Sequence, residues 1–214
     1  LLGWYMVRSG LVDRPHVSHL RLAAHLGLAF VTVLYILWLW LGLRWPSPGP
    51  RDQRVVRILC ALGGLVSLQV VYGAFMAGLR AGLLSNTFPG MLGSWLPFEL
   101  LRGMAVEDAA VWSPLGVHIL HRALGWTVLF LTLGVGVWAR HWSRSLLQYR
   151  LSTALLGVVS IQFTLGAITV LLSVPTWAAV AHQLGALLLL GVVVAAVHAF
   201  RGPGEARSLG RAPS

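Results

Sequence analysis

The sequence predicts an all-α protein, a polytopic membrane helix bundle with five spanning helices. Three observations predict it. Hydrophobic residues make up 57% of the chain and charged residues only 10%. The charges gather in short gaps, and the runs between them are long enough to cross a bilayer. Soluble domains carry about a quarter charged residues, so water is not the main solvent of these side chains.

A span needs about 20 apolar residues. Runs of that length lie at about Leu22–Leu43, Ile58–Leu79, Leu115–Trp138, Leu151–Val174 and Ala178–Phe200. No soluble domain fits between them, so residues 1–214 read as one transmembrane domain, with a polar tail at 201–214. A net charge of +10 could signal nucleic acid, but the Arg residues sit between apolar runs, which is a membrane pattern. One side collects ten Arg against Asp52 and Glu205, net +8; the other collects six Arg against Asp13, Glu99, Glu107 and Asp108, net +2. The more basic side is expected to face the cytoplasm or matrix. Trp38, Trp40, Trp45, Trp138 and Trp142 then fall at the inner interface, and Trp95, Trp112 and Trp177 at the outer. The single cysteine, Cys60, permits no internal disulfide and reads as a small core residue.

An internal repeat accompanies this pattern. Ser67, Gln69, Gly73 and Ala74 in the second helix match Ser160, Gln162, Gly166 and Ala167 in the fourth. Each set precedes a histidine-bearing helix, so the architecture reads as a duplicated helix-pair unit. The opening Leu2-Gly3-Trp4-Tyr5-Met6 resembles the end of the same unit at Tyr72-Gly73-Ala74-Phe75-Met76. Residue 1 is therefore expected to fall in mid-helix, with the beginning of the chain missing.

Of eight histidines, three share one expected depth. His25, His121 and His182 lie about one turn into the first, third and fifth helices, which run in the same direction. Polar groups inside a bilayer are costly unless satisfied and mark function by default. Imidazole ligates iron, copper and zinc, yet no Cys, Asp or Glu lies at that depth to complete a zinc or copper shell. Two facing histidines beside small residues suit the axial positions of a haem iron. Gly125 and Gly185 would let a flat macrocycle approach, with plain helix packing as the alternative. Arg122 reads either as a partner for a haem propionate or as a snorkelling outer-leaflet residue. Gln69 and Gln162 read as hydrogen-bonding glue between helices. His118, one turn above His121, reads as a supporting or interfacial group. His16 and His19 read as loop residues, and His141 and His198 as solvated residues on the inner side.

At this point the residues resemble a known family. Gly3-Trp4-Tyr5-Met6-Val7-Arg8-Ser9-Gly10-Leu11, Val17-Ser18 and Arg21-Leu22-Ala23-Ala24-His25-Leu26-Gly27 resemble the haem A synthase family. So do Gly73-Ala74-Phe75-Met76-Ala77-Gly78-Leu79-Arg80-Ala81-Gly82, Asn86-Thr87-Phe88-Pro89, His121-Arg122 and His182-Gln183. The resemblance runs from residue 1 to about 200 and is nearest to the mitochondrial and alphaproteobacterial branch. It departs at Gly90, His118 and Leu120.

The resemblance implies eight helices in two four-helix halves. Residues 1–80 would hold a remnant of the first half plus the first helix of the second, and residues 81–200 the rest of a haem b half. It implies that His121 and His182 are axial ligands of haem b, that Arg122 is a propionate partner, and that His25 ligates the substrate, haem O. The activity implied is oxidation of a methyl group of haem O to the formyl group of haem A, with oxygen from water, for cytochrome c oxidase assembly. The family's second substrate histidine and a Glu linked to the chemistry fall before residue 1, so no catalytic residue is assigned and the piece alone is expected to be inactive. Implied partners are membrane lipid, an electron donor such as a ferredoxin or quinol, haem O synthase and oxidase assembly proteins, with no nucleic acid. The implied location is the bacterial inner membrane, or the mitochondrial inner membrane in a eukaryote.

Two other readings compete. A bis-histidine b-type cytochrome would carry electrons without oxidising a methyl group. A transporter would line a pathway with polar residues, but all six acids lie outside the spans.

Overall fold

A computed structural model of the chain describes residues 3–4, 18–46, 49–94 and 111–202. Five long helices account for most of them: α1 (His19–Arg44), α2 (Gln53–Gly78), α3 (Pro114–His141), α4 (Leu146–Leu171) and α5 (Thr176–Phe200). A 3-10 turn, Ala81–Leu83, follows α2, and the described residues contain no β-strand. Each helix is long and apolar enough to cross a membrane. At 1.5 Å per residue a 26-residue helix is about 39 Å long, more than the roughly 30 Å hydrocarbon core. The excess places polar end turns among the headgroups.

Those end turns explain where the apolar runs and the helices differ. α2 begins at Gln53 and not near Ile58, because Asp52 caps it: the carboxylate Oδ1 accepts from the main-chain N–H groups of Arg54 and Val55. α4 begins at Leu146 and not near Leu151, with the Ser145 hydroxyl accepting from the Gln148 N–H at 3.2 Å. The hydroxyl of Ser113 caps α3 in the same way, ahead of Pro114 in the first turn. Polar first turns score poorly as apolar runs yet are good helix starts.

α4 stops at Leu171, short of the expected Val174. Ser173 and Val174 adopt φ of 59° and 60°, and the Val174 N–H reaches back to the Thr169 carbonyl at 2.8 Å. That is the closing bond of a left-handed helix end, a conformation glycine adopts most cheaply. Here two non-glycine residues hold it, at about 1–2 kcal/mol each. Packing offsets the cost: a Cβ on Gly82 would lie 2.9 Å from Val174 Cγ2, so the glycine makes room for the turn.

The helices pack in a ring. α2 meets α3, α3 meets α4, α4 meets α5, and α5 returns to α2. α1 lies outside this four-helix ring, along α2 and α5. Val55, Leu59, Leu62 and Val66 of α2 recur at helical spacing and meet Val128, Leu155, Val159, Leu189 and Val193 in the core. α1 contributes Phe30 and turns Val31, Tyr35, Ile36 and Leu39 outward, as lipid-facing positions should be.

At the end of the bundle where α4 begins, one side chain ties three segments together. Gln148 is buried; its amide N–H donates to the carbonyls of Pro50 at 2.8 Å and Ala199 at 3.0 Å, and its Oε1 accepts from the Arg144 N–H at 2.8 Å. Nearby, the Asp52 N–H donates to the Phe200 carbonyl at 2.9 Å. Gln148→Leu would strand two carbonyls and one N–H, so the expected loss is about 2–4 kcal/mol. Unfolding in mixed detergent micelles measures it. Thr153→Val, which removes an exposed bond to the Tyr149 carbonyl of its own helix, should change stability by under about 0.5 kcal/mol.

Candidate functional site

Of the three histidines singled out by depth, the structure brings two together. The rings of His121 on α3 and His182 on α5 lie 6.4 Å apart between centroids, with planes at 84°. Two imidazoles so placed can hold one metal ion or the iron of a macrocycle between them. No group of three or more His, Cys, Asp or Glu that could hold a bare metal ion occurs among the described residues.

The neighbouring helix prepares each imidazole. His182 Nδ1 lies 3.2 Å from the main-chain carbonyl of Gln162 on α4. A carbonyl only accepts, so Nδ1 carries the proton and Nε2 keeps its lone pair for a ligand. That carbonyl can be reached because the residue one turn on is Gly166. A side chain at i+4 lies back over the turn before it, and a Cβ on Gly166 would come within 2.8 Å of His182 Cε1. The same step recurs on α2: a Cβ on Gly73 would lie 3.3 Å from His121 Cε1, one turn after Gln69. It recurs again at the start of the chain, where Gly3 would place a Cβ 3.4 Å from His25 Cε1. The repeat aligns these same three glycines. Each histidine therefore has a glycine of a different helical segment against its ring.

The glutamines of the repeat are also accounted for. Gln69 donates its amide N–H to the His121 carbonyl at 2.9 Å, and Gly125 makes room for that amide. Gly185 does the same for the Gln162 side chain, whose Oε1 lies against it. Gly125 and Gly185 thus lie against glutamine side chains, while Gly73 and Gly166 border the imidazoles. Sequence reasoning missed that second pair, although the four-residue step from Gln to Gly in both repeat units was the signal for it. Four buried polar atoms here have no partner: Nδ1 of His121, Oε1 of Gln69, Oε1 of Gln162 and Nη1 of Arg122. Leaving such a group unpaired costs about 1–3 kcal/mol; Thr132, Ser152 and His198 carry others elsewhere in the bundle, so these four support the site only beside the histidine pair.

The loop after α2 closes the end of the bundle where α2 ends. Arg122 donates through Nη2 to the carbonyls of Thr87 at 2.6 Å and Gly90 at 3.1 Å. Its guanidinium also lies over the Phe88 ring at 5.3 Å. Phe88 in turn stacks on Trp126 at 5.8 Å and meets Phe163 edge-on. Arg122 thus grips the loop with one arm and keeps the other, Nη1, buried and unpaired, an arrangement neither of its sequence readings contained.

The remaining histidines separate. His118 is fully buried beside the Ala81 backbone. His19 is not in a loop but is the first residue of α1, edge-on to Phe75, and Gly78 gives it space. His198 is buried edge-on against Trp38, not solvated. His141 is exposed, as is Cys60, which the sequence placed in the core. His16 lies outside the described residues. His25 contacts Gly3 and has a buried, unpartnered Nδ1.

Comparison with known proteins adds to this geometry. The family model described as cytochrome oxidase assembly protein, COX15-CtaA, matches residues 1–194. A heme A synthase of Flavobacterium psychrophilum is 37% identical over 93% of this chain and 59% of its own length. One from Nitrosospira multiformis is 40% identical over 94% of this chain and 57% of its own. Heme A synthase COX15 of Mus musculus is 38% identical over 89% of this chain and 48% of its own. The chain thus spans about half to three-fifths of the length of these relatives.

Gly166→Leu is expected to push the His182 ring off the Gln162 carbonyl. Haem titration of the purified chain, followed by its absorption band, should then lose saturable binding. Gly157→Leu, on the same helix with open space at its Cβ, should bind as the parent does.

Proposed function

The chain belongs to the COX15-CtaA family of cytochrome oxidase assembly proteins, and from that premise we propose that it is the haem b-binding part of a haem A synthase. The reaction assigned is oxidation of a methyl group of haem O to the formyl group of haem A, in a bacterial or mitochondrial inner membrane. The observation that carries the proposal is the His121–His182 pair. An imidazole nitrogen binds a transition metal at about 2 Å and the ring centre lies about 1 Å behind it, so opposed ligands have centroids about 6 Å apart. The 6.4 Å between the two ring centroids fits that spacing.

The surrounding residues fit a haem as well. Small residues at Gly73 and Gly166 leave the imidazoles uncovered, and the unpaired Nη1 of Arg122 offers a donor for a propionate carboxylate. A haem b bound here supplies one-electron transfer within the membrane. The protein's own part is to hold the two imidazoles in place, with Nε2 left as the ligand atom of His182, while the Gln69 amide nitrogen lies 3.5 Å from Nε2 of His121. The Gln162 carbonyl holds His182, and the Gln69 amide restrains the His121 main chain. Arg122 fixes the Thr87–Gly90 loop over the end of the bundle where α2 ends. His25 is proposed as a ligand of the substrate haem O. No catalytic carboxylate is assigned, because none of the five helices contains Asp or Glu. That same observation favours a second reading, an electron-transfer cytochrome without methyl oxidation.

Two measurements test the proposal, and the second separates the two readings. Loaded with haem, the chain should show a low-spin b-type spectrum that His121→Ala or His182→Ala abolishes and His141→Ala leaves intact. An unchanged spectrum in both helix variants would sink the assignment. The 214-residue chain, expressed alone in a haem A synthase deletion strain, should yield no haem A on pigment extraction. Co-expression with the N-terminal helices of a longer relative should restore some, whereas a pure cytochrome would restore none.

A further inference from the structure

A groove runs along the seam between α2 and α3, away from the histidine pair. Its upper part, about 250 Å³, is lined by Asp52, Arg54, Trp138 and Trp142. Its lower part, about 360 Å³, shares Trp138 and continues over Ile58, Phe130 and Gly134. The two parts differ sharply in chemistry: both charges are at the top, and only apolar surface lies below.

The charges are available to a ligand. Asp52 uses Oδ1 to cap α2, and Arg54 is exposed, with no ion pair or hydrogen bond from its side chain among the described residues. The two do not pair with each other. Below them, Gly134 leaves an open notch, since a Cβ there would meet nothing within 4 Å. From Phe130 to Trp142, the residue that caps the end of α3, the groove spans about 18 Å, close to the roughly 15 Å depth of one leaflet's hydrocarbon. Indoles at the upper end match the headgroup level.

We propose that this groove binds one zwitterionic aminophospholipid of the inner leaflet, its phosphate on Arg54, its ammonium on Asp52 and an acyl chain along the Gly134 notch. A purely anionic lipid would satisfy Arg54 but place its charge beside the Asp52 carboxylate. A quinol would need hydrogen-bond partners for its ring oxygens within the lower groove, and only apolar residues line it.

Native mass spectrometry of the delipidated full chain tests this, with phosphatidylethanolamine, phosphatidylglycerol and ubiquinol offered in equal amounts. The chain should retain one phosphatidylethanolamine, with a preference of about fivefold over phosphatidylglycerol, as expected for one extra charge contact at a surface. Arg54→Gln and Gly134→Leu should each reduce retention. Asp52→Asn, which keeps the helix cap, should erase the preference between the two phospholipids. Far-UV circular dichroism confirms that each variant is folded, and Arg54→Gln, at an exposed position, decides the matter if Gly134→Leu is not. Equal retention of both phospholipids by the parent, retention of the quinol instead, or an Arg54→Gln chain that behaves as the parent overturns the proposal.

Discussion

The architecture of the site depends on a close approach between an imidazole and the backbone of a neighbouring helix. Inside a membrane every helix carbonyl is already committed to its own ladder, and the side chain one turn on normally covers its second lone pair. Gly166 removes that cover, so the Gln162 carbonyl accepts from His182 Nδ1 without breaking α4. The bond sets the tautomer, and the tautomer sets which nitrogen can face a metal. Gly73 and Gly3 border the rings of His121 and His25 in the same way, without a bond to either Nδ1.

The rest of the bundle keeps that approach in register. On one side of the histidine pair, Gln148 and Asp52 bind the α1–α2 connection, the start of α4 and the end of α5 to one another. On the other, Arg122 and the Phe88–Trp126–Phe163 cluster fasten the loop after α2 to α3 and α4. The left-handed turn at Ser173–Val174 fits against Gly82. Since α3 and α5 carry the two histidines but are not adjacent in the ring, their separation is set indirectly, through α2 and α4. A loss of packing at either intervening helix should therefore be felt as a change in the histidine pair.

Much of this was legible in the sequence. Five apolar runs located the helices, because a bilayer demands length and hydrophobicity before anything else. The repeat located the histidine-facing segments, and it aligned Gly3, Gly73 and Gly166 before any contact was known. What was not legible concerns polar groups whose partners are distant in sequence. Arg122 gave no sign that it would spend Nη2 on Thr87 and Gly90. Nothing marked Gln148 as the residue that ties three segments. His198 follows an apolar stretch near a helix end and reads as solvated, yet Trp38 of α1 covers it. Helix starts were missed by about five residues at Gln53 and Leu146 because capped, polar first turns do not register as apolar.

The central proposal is that His121 and His182 would hold one haem iron between them, with their ring planes crossed. Crossed planes leave two of the iron d orbitals nearly equal in energy, whereas parallel planes split them. Electron paramagnetic resonance of the ferric, haem-loaded chain reads this directly. From ring planes at 84° the account predicts a strongly anisotropic low-spin signal that disappears in His182→Ala. A high-spin signal from the parent chain, or a low-spin signal that survives the loss of His182, would contradict it.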